Sequence, residues 1–319
     1  MPPPPTNGLS PQEISHFVTQ AGLAKARLTW PEYVIKSFFG GVFISLGGMI
    51  DIIVNAGSPG LRASNPGLAT LIAGFTFPLG FVLVTLTNME LSTSNFFVMP
   101  YTTMQRKTTV VDWLKNWVLT YVLNIAGALF VAGFLAWWSD VLNTDEATAY
   151  VTTQAEERVN VQWSVNFLRG IGCNFFVGLA FFMTLGAVEF VSKIYTIWVP
   201  IWAFVIAGYQ HSIANYFMIP IGMFYGVNFS VGKFISHSVI PVTLGNIVGG
   251  ALLCSLPFWY LYGRGDGINV QTGHEIREST MQKHRVESDE TVGGRDSAAR
   301  GRDAAMGDGY DRNVRELLA

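Results

Sequence analysis

His211 sits deep inside a long charge-free stretch, and the ten residues it opens occur twice in the chain. HSIANYFMIP, from His211 to Pro220, is matched 120 residues earlier by LSTSNFFVMP, from Leu91 to Pro100. Ser92 pairs with Ser212, Asn95 with Asn215, Phe97 with Phe217 and Pro100 with Pro220, while Leu91 stands where the second copy has His211. An imidazole titrates near pH 6.5 in water and can give a hydrogen bond or a proton to the oxygen of a small anion. Ser and Thr before a new apolar run cap helix N-termini, whose free N–H groups carry about half a positive charge. Two such ends aimed at one point attract an anion without a fixed Lys or Arg to hold it. Phe77, Phe81, Leu91 and Phe204 are the apolar residues expected to narrow the path.

The elements that must position these groups are membrane spans. Half the residues are hydrophobic and 13% are charged, against about 25% charged in a soluble domain; mean hydropathy is +0.34. Residues 116–138, 170–188 and 234–263 contain no Asp, Glu, Lys or Arg, and 37–61 carries only Asp51. Each is long enough for the roughly 20 apolar residues of a spanning helix. Residues 63–105 hold the single charge Glu90, and 194–232 hold none. A straight helix of the latter length would measure about 58 Å against a hydrocarbon core of about 30 Å. Both stretches must be broken, and interrupted helices at matching places in two halves mark a transport site.

The repeat extends to Asn124-Ile-Ala-Gly127 against Asn246-Ile-Val-Gly249, and to glycine-rich spans at Gly40, Gly41, Gly47, Gly48 and at Gly170, Gly172, Gly178. The expected fold is an all-α integral membrane protein of six spans: 34–54, 67–100 (broken), 114–138, 166–190, 196–222 (broken) and 238–262. Three spans per half make the halves inverted. Residues 1–33 form an N-terminal segment, 34–263 the pore domain and 264–319 a charged tail. Residues 1–9 are expected to lack structure. Ser10-Pro11-Gln12-Glu13 then reads as a capped helix start, with Ile14, Phe17, Val18 and Ala21 on one apolar face lying on the membrane surface. Residues 139–163 read as a long acidic loop. Lys25, Arg27, Lys36, Arg106, Lys107, Lys193 and Arg264 concentrate on one side, which puts both termini in the cytoplasm of a multi-pass plasma-membrane protein. The last 56 residues hold 20 of the chain's 42 charged residues, the composition of a disordered tail.

Several groups have plainer explanations. His211 can be a satisfied hydrogen bond between helices. Glu90 reads as structural, tying down exposed N–H groups of the first break. Arg158 either draws anions to the outer mouth or is an ordinary solvated charge, and Asn174 either lines the pore or joins helices. Cys173 and Cys254 lie in apolar spans and read as small hydrophobes. A net charge of -2 offers no field for nucleic acid, and no cofactor or metal is expected. An aquaporin-type neutral-solute channel would show two Asn-Pro-Ala breaks, where this chain has SNF and ANY. An intramembrane enzyme would need more than His211 and Glu90, and no HExxH, GxSxG or paired aspartate accompanies them.

These motifs resemble the formate/nitrite transporter family over most of residues 10–262. The resemblance is carried by SPQEI (Ser10–Ile14), GVFISLGG (Gly41–Gly48), FPLG (Phe77–Gly80), ELSTSN (Glu90–Asn95), GIGCN (Gly170–Asn174) and HSIANYFMIP (His211–Pro220). It implies an aquaporin-like inverted repeat, a homopentamer with one pore per protomer, and small monovalent anions such as nitrite or formate, often with a proton. It gives Thr93, Asn174 and His211 as polar pore residues, joined through the repeat by Ser92, Asn95 and Asn215, and sets Phe77, Phe81, Leu91 and Phe204 at the narrow parts. Ser92 stands where many bacterial members carry an aromatic residue, Asn88-Met89 where a small Gly is common, and Arg158 where a vestibule lysine is common. The tail and first motif look most like the fungal nitrite transporters, which makes nitrite uptake the expected activity and formate the alternative.

Overall fold

The computed structural model describes residues 8–264, Gly267–Ile268 and Glu275–Ile276. The chain divides into two units, Met1–Arg264 and Gly265–Ala319. In the second, β1 (Gly267–Ile268) and β2 (Glu275–Ile276) pair antiparallel; the rest of the expected unstructured tail lies outside the described residues. So does most of the expected unstructured start. Gly8 and Leu9 are an exception, because Gly8 bridges to Ala187 and the Leu9 N–H donates to the Gly186 carbonyl at 2.9 Å.

The first unit is helical. Helix α1 (Pro11–Ala26) starts at the expected capping box, with Ser10 Oγ accepting from the Glu13 N–H and the Glu13 carboxylate accepting from the Ser10 N–H. Its buried face differs from the expected one: Ile14, Val18 and Lys25 turn inward while Phe17 is 46% exposed. Then follow α2 (Trp30–Ala56), α3 (Pro59–Ser64), α4 (Pro66–Gly74), α5 (Pro78–Leu86) and α6 (Ser92–Met104). Helix α7 (Val110–Trp137) ends in π-helical turns. The stretch read as an acidic loop contains α8 (Asp145–Val159), capped by Thr144 and burying Ala147, Val151, Gln154, Ala155 and Val159. Helices α9 (Trp163–Gly186), α10 (Phe190–Ile206), α11 (Ser212–Tyr225) and α12 (Val231–Gly263, with π-helical turns) complete it.

Among the described residues, five helices are long and apolar enough to cross a bilayer: Trp30–Ala56, Pro66–Leu86 (α4 and α5 together), Val110–Trp137, Trp163–Gly186 and Val231–Gly263. Phe190–Ile206 is a shorter apolar helix. Val118, Val122, Leu168, Phe190 and Leu252 lie exposed on their outer faces. A bilayer or a neighbouring apolar surface is the solvent that such faces require.

Both long stretches break as expected: the first is interrupted once before Pro78, between α4 and α5, and each then breaks fully at a turn that holds no proline. After α5 the chain takes a positive φ of 55° at Asn88; after α10 it takes 69° at Gly208. In both, a backbone bond spans the turn, from the Met89 N–H to the Val84 carbonyl at 2.8 Å and from the Tyr209 N–H to the Phe204 carbonyl at 3.1 Å. Leu91 and His211 are then extended, and α6 and α11 start at the next residue. Pro100, Pro200 and Pro220 lie inside helices. The packing needs small residues at these crossings: a Cβ on Gly170 would come within 2.7 Å of the Val242 carbonyl oxygen. Helix α2 packs along α7, and α9 along α12. One core of Ile44, Phe77, Phe81, Leu91, Val177, Phe204 and Phe217 runs between them.

Candidate functional site

The two breaks are held by the same backbone chemistry. Starting a helix leaves N–H groups without intrahelical partners, which is costly away from water. At the first break the Ser92 N–H donates to Asn124 Oδ1 at 2.9 Å. Asn124 Nδ2 donates to the carbonyls of Ser37 (2.6 Å) and Glu90 (2.9 Å). At the second, the Ser212 N–H donates to Asn246 Oδ1 at 2.8 Å, and Asn246 Nδ2 donates to the carbonyls of Gly170 (2.8 Å) and Gln210 (3.0 Å). One asparagine thus closes three backbone valences per break. The first asparagine, not Glu90, ties down the Ser92 N–H.

A second asparagine joins each break to a cation. Asn95 Nδ2 donates to Glu90 Oε2 and to Asn116 Oδ1, both at 2.8 Å, and Glu90 Oε1 lies 2.8 Å from Lys25 Nζ. Asn215 Nδ2 donates to Gln210 Oε1 at 3.0 Å and to Ser238 Oγ at 3.1 Å. Arg158 Nη1 donates to the same Gln210 Oε1 at 3.0 Å and to Asn215 Oδ1 at 3.4 Å, while its Nε reaches Gln154 Oε1 at 2.8 Å. Helices α1 and α8 therefore play equal parts, each delivering a cation to one break. Arg158 is no free solvated charge; burial pushes its guanidinium below its ordinary pKa, though arginine stays charged at any pH of interest.

Each break lines one cavity. Lys25, Lys36, Asn88, Glu90 and Ser94 line one of about 140 Å³. Asp51, Tyr150, Arg158, Arg169, Gly208 and Gln210 line one of about 750 Å³. Lys36 and Asp51 stand about 22 Å apart along α2 at 1.5 Å per residue, so the cavities flank opposite ends of that helix.

The starts of α6 and α11 meet at Thr93 and His211, whose Oγ1 and Nε2 are 2.9 Å apart. His211 Nδ1 accepts from the Ala214 N–H at 3.0 Å, capping α11. An acceptor at Nδ1 puts the hydrogen of a neutral imidazole on Nε2. The ring therefore donates to Thr93, whose own hydroxyl hydrogen stays free to turn elsewhere. The plainer expectation, a satisfied histidine between helices, describes this resting arrangement. Asn174 Nδ2 donates to the Thr93 carbonyl at 3.0 Å and to the Asn246 carbonyl at 2.7 Å, binding the two starts together. Ser92 Oγ, Ser94 Oγ, Ser212 Oγ and Asn174 Oδ1 are buried here without a protein hydrogen-bond partner. Phe204 stacks on His211 with ring centroids 6.3 Å apart, and Phe77 meets Phe204 edge-on at 5.7 Å. Phe81 and Leu91 are buried in the same core.

All the expected residues thus fall around the two breaks, with Arg158 and Glu90 on opposite cavities. Sequence reasoning missed Lys25, Gln210, Asn116 and Ser238 as partners, and read Asn124 and Asn246 as repeat markers only. The signal was present for Gln210, which stands 120 residues after Glu90.

Known proteins resemble this chain in sequence and fold. A probable formate transporter of Methanothermobacter thermautotrophicus is 34% identical over 268 residues, covering 79% of this chain and 97% of its own. A solved FNT family ion channel shares the fold with a TM-score of 0.71 at 24% identity, covering 78% of this chain and 98% of that one. A pentameric formate channel with formate bound superposes with a TM-score of 0.64 at 23% identity, covering 73% and 97%. The profile described as "Formate/nitrite transporter" matches residues 12–260, which takes in both breaks, both cation-bearing helices and every residue of the seam. On that match this membrane transport protein belongs to the formate/nitrite transporter family.

Proposed function

We propose that this protein takes up nitrite across the plasma membrane together with a proton, through one pore per protomer of a homopentamer. The observation that carries the reading is the meeting of Thr93 and His211 where two helix starts converge between two cavities. The partial positive charge of two helix ends is enough for one negative charge and too little for two. His211 Nε2–H and the Thr93 hydroxyl supply hydrogen bonds to an anion's oxygens, and Phe77, Phe81, Leu91 and Phe204 strip its water. Ser92, Asn95, Asn174 and Asn215 hold the two helix starts in register. A weak acid that gains a proton loses most of its desolvation cost, an advantage chloride lacks.

The architecture belonging to this reading is a 3+3 inverted repeat of six spans, with α4–α6 and α10–α11 as the broken second and fifth. The excess of Lys and Arg near the narrow cavity puts that cavity and both termini in the cytoplasm. Formate is the second reading, favoured by relatives described as formate transporters or channels. The test is anion flux into vesicles holding purified protein, with nitrite, formate, chloride and sulfate compared across pH. Nitrite ahead of formate, and both faster at acid pH on the wide-cavity side, is expected. Chloride or sulfate crossing as fast as nitrite at every pH would overturn the weak-acid reading.

A further inference from the structure

Asp51 is a buried acid outside the hydrogen-bond networks of the two breaks. It stands on α2 at 6% exposure and lines the wide cavity with Tyr150, Arg158, Arg169 and Gln210. Its Oδ1 accepts one hydrogen bond, from Asn55 Nδ2 at 3.4 Å. Among the described residues the one ion pair within 4.0 Å is Lys25–Glu90, so Asp51 has no cation in contact. Arg158 on α8 lines the same cavity. The other charged or titratable groups around it are Tyr150, Arg62 stacked 4.4 Å over the Tyr150 ring, Glu156, Glu157 and Arg169.

The two ends of the molecule differ at this point. At the narrow cavity the cation's counter-charge is Glu90, locked to Lys25 by direct contact. At the wide cavity the cation's contact partners are the neutral Gln154, Gln210 and Asn215, and the buried acid, Asp51, is set apart on another helix. A separated carboxylate opposes an incoming anion without quenching Arg158 permanently. Buried carboxylates without a contacting cation exchange charge for a proton more readily than paired ones.

Resting on the anion-transport reading above, we propose that Asp51 tunes anion capture to pH: its charged form offsets the Arg158 field, and its protonated form releases that field to the substrate. Taking up one proton changes its charge from minus one to zero. It makes the wide cavity a better anion trap on its acid side.

The experiment measures KM for nitrite and for formate in vesicles at pH 5.5 to 8 on the wide-cavity side. The proteins compared are wild type, Asp51→Asn, Asp51→Glu and, as a cavity-lining exposed control, Glu157→Gln. Wild-type KM should rise with pH. Asp51→Asn should hold a low KM throughout, about tenfold below wild type at pH 8, the scale of removing one charge a short distance from the anion. Asp51→Glu should restore the pH dependence, and Glu157→Gln should keep it. A flat KM in conducting wild type, a wild-type profile in Asp51→Asn, or an equal loss of flux by Asp51→Asn and Asp51→Glu at every pH would overturn the proposal. A wild type that assembles but passes no anion would instead remove the transport reading on which it rests.

Discussion

The two breaks differ in charge far more than in shape. Each has an extended residue before a serine-started helix, an asparagine bonding one N–H and two carbonyls, and a second asparagine donating to the side chain, Glu90 or Gln210, that meets a cation from a capped helix. The first set closes on an ion pair, Lys25–Glu90, with both side chains nearly buried. The second has Arg158 against neutral Gln210. Backbone valences away from water leave little freedom, so Asn124 and Asn246 are the same residue. Net charge is not constrained in that way, so Glu90 and Gln210 can differ. The difference also appears at the seam, where Leu91 packs and His211 donates and caps.

If backbone closure is the common requirement, removing it should hurt both ends alike. Asn124→Ala and Asn246→Ala each leave one buried N–H and one carbonyl at the break without partners, while the Ser37 and Gly170 carbonyls keep their bonds inside α2 and α9. At about 1–3 kcal/mol apiece this exceeds most single-residue effects, and loss of assembled protein is expected for both. Thermal unfolding of the detergent-solubilised variants checks it, and a mild effect at one break alone would break the equivalence.

Charge exchange should separate the ends. Glu90→Gln strands the buried Lys25 ammonium at a cost of about 3–5 kcal/mol, seen as a lower unfolding temperature. Gln210→Glu gives Arg158 a counter-charge, so it should assemble normally and lower anion uptake several-fold. Equal behaviour of the two swaps would show that the Gln210 site does not need its positive charge.

The seam should respond in chemistry rather than in stability. Asparagine can cap α11 in place of His211 Nδ1 but cannot reach Thr93 as Nε2–H does. His211→Asn should therefore unfold within about 1 kcal/mol of wild type while losing most transport; retained flux would leave the ring with a capping role alone. The smallest expected change is Thr93→Val, which keeps shape and removes one hydroxyl. It should raise KM for nitrite a few-fold with assembly unchanged.

Much of this was legible in the sequence because a bilayer leaves little choice. It demands long apolar runs and internal satisfaction of the backbone, so charge-free stretches too long for one span announce breaks, and the duplicated motif locates them. The Ser10 cap was legible for the same local reason: its partner is three residues away. Helix α8 was hidden because it shares with α1 only a capping hydroxyl and a cation, Ser10 with Lys25 and Thr144 with Arg158, and its polar face resembles a loop. What spacing could not supply is distance between remote residues. That Asn124 reaches Ser92, that Arg158 lies on Gln210, and that His211 meets Thr93 118 residues away depend on how glycine-lined helices cross. The sequence by itself determined the membrane solvent, the two interruptions and the lone histidine at the second. Only the tertiary structure decided which side of that histidine accepts and which donates, and which cation is paired and which left open, because hydrogen-bond direction and charge compensation are properties of neighbours in space.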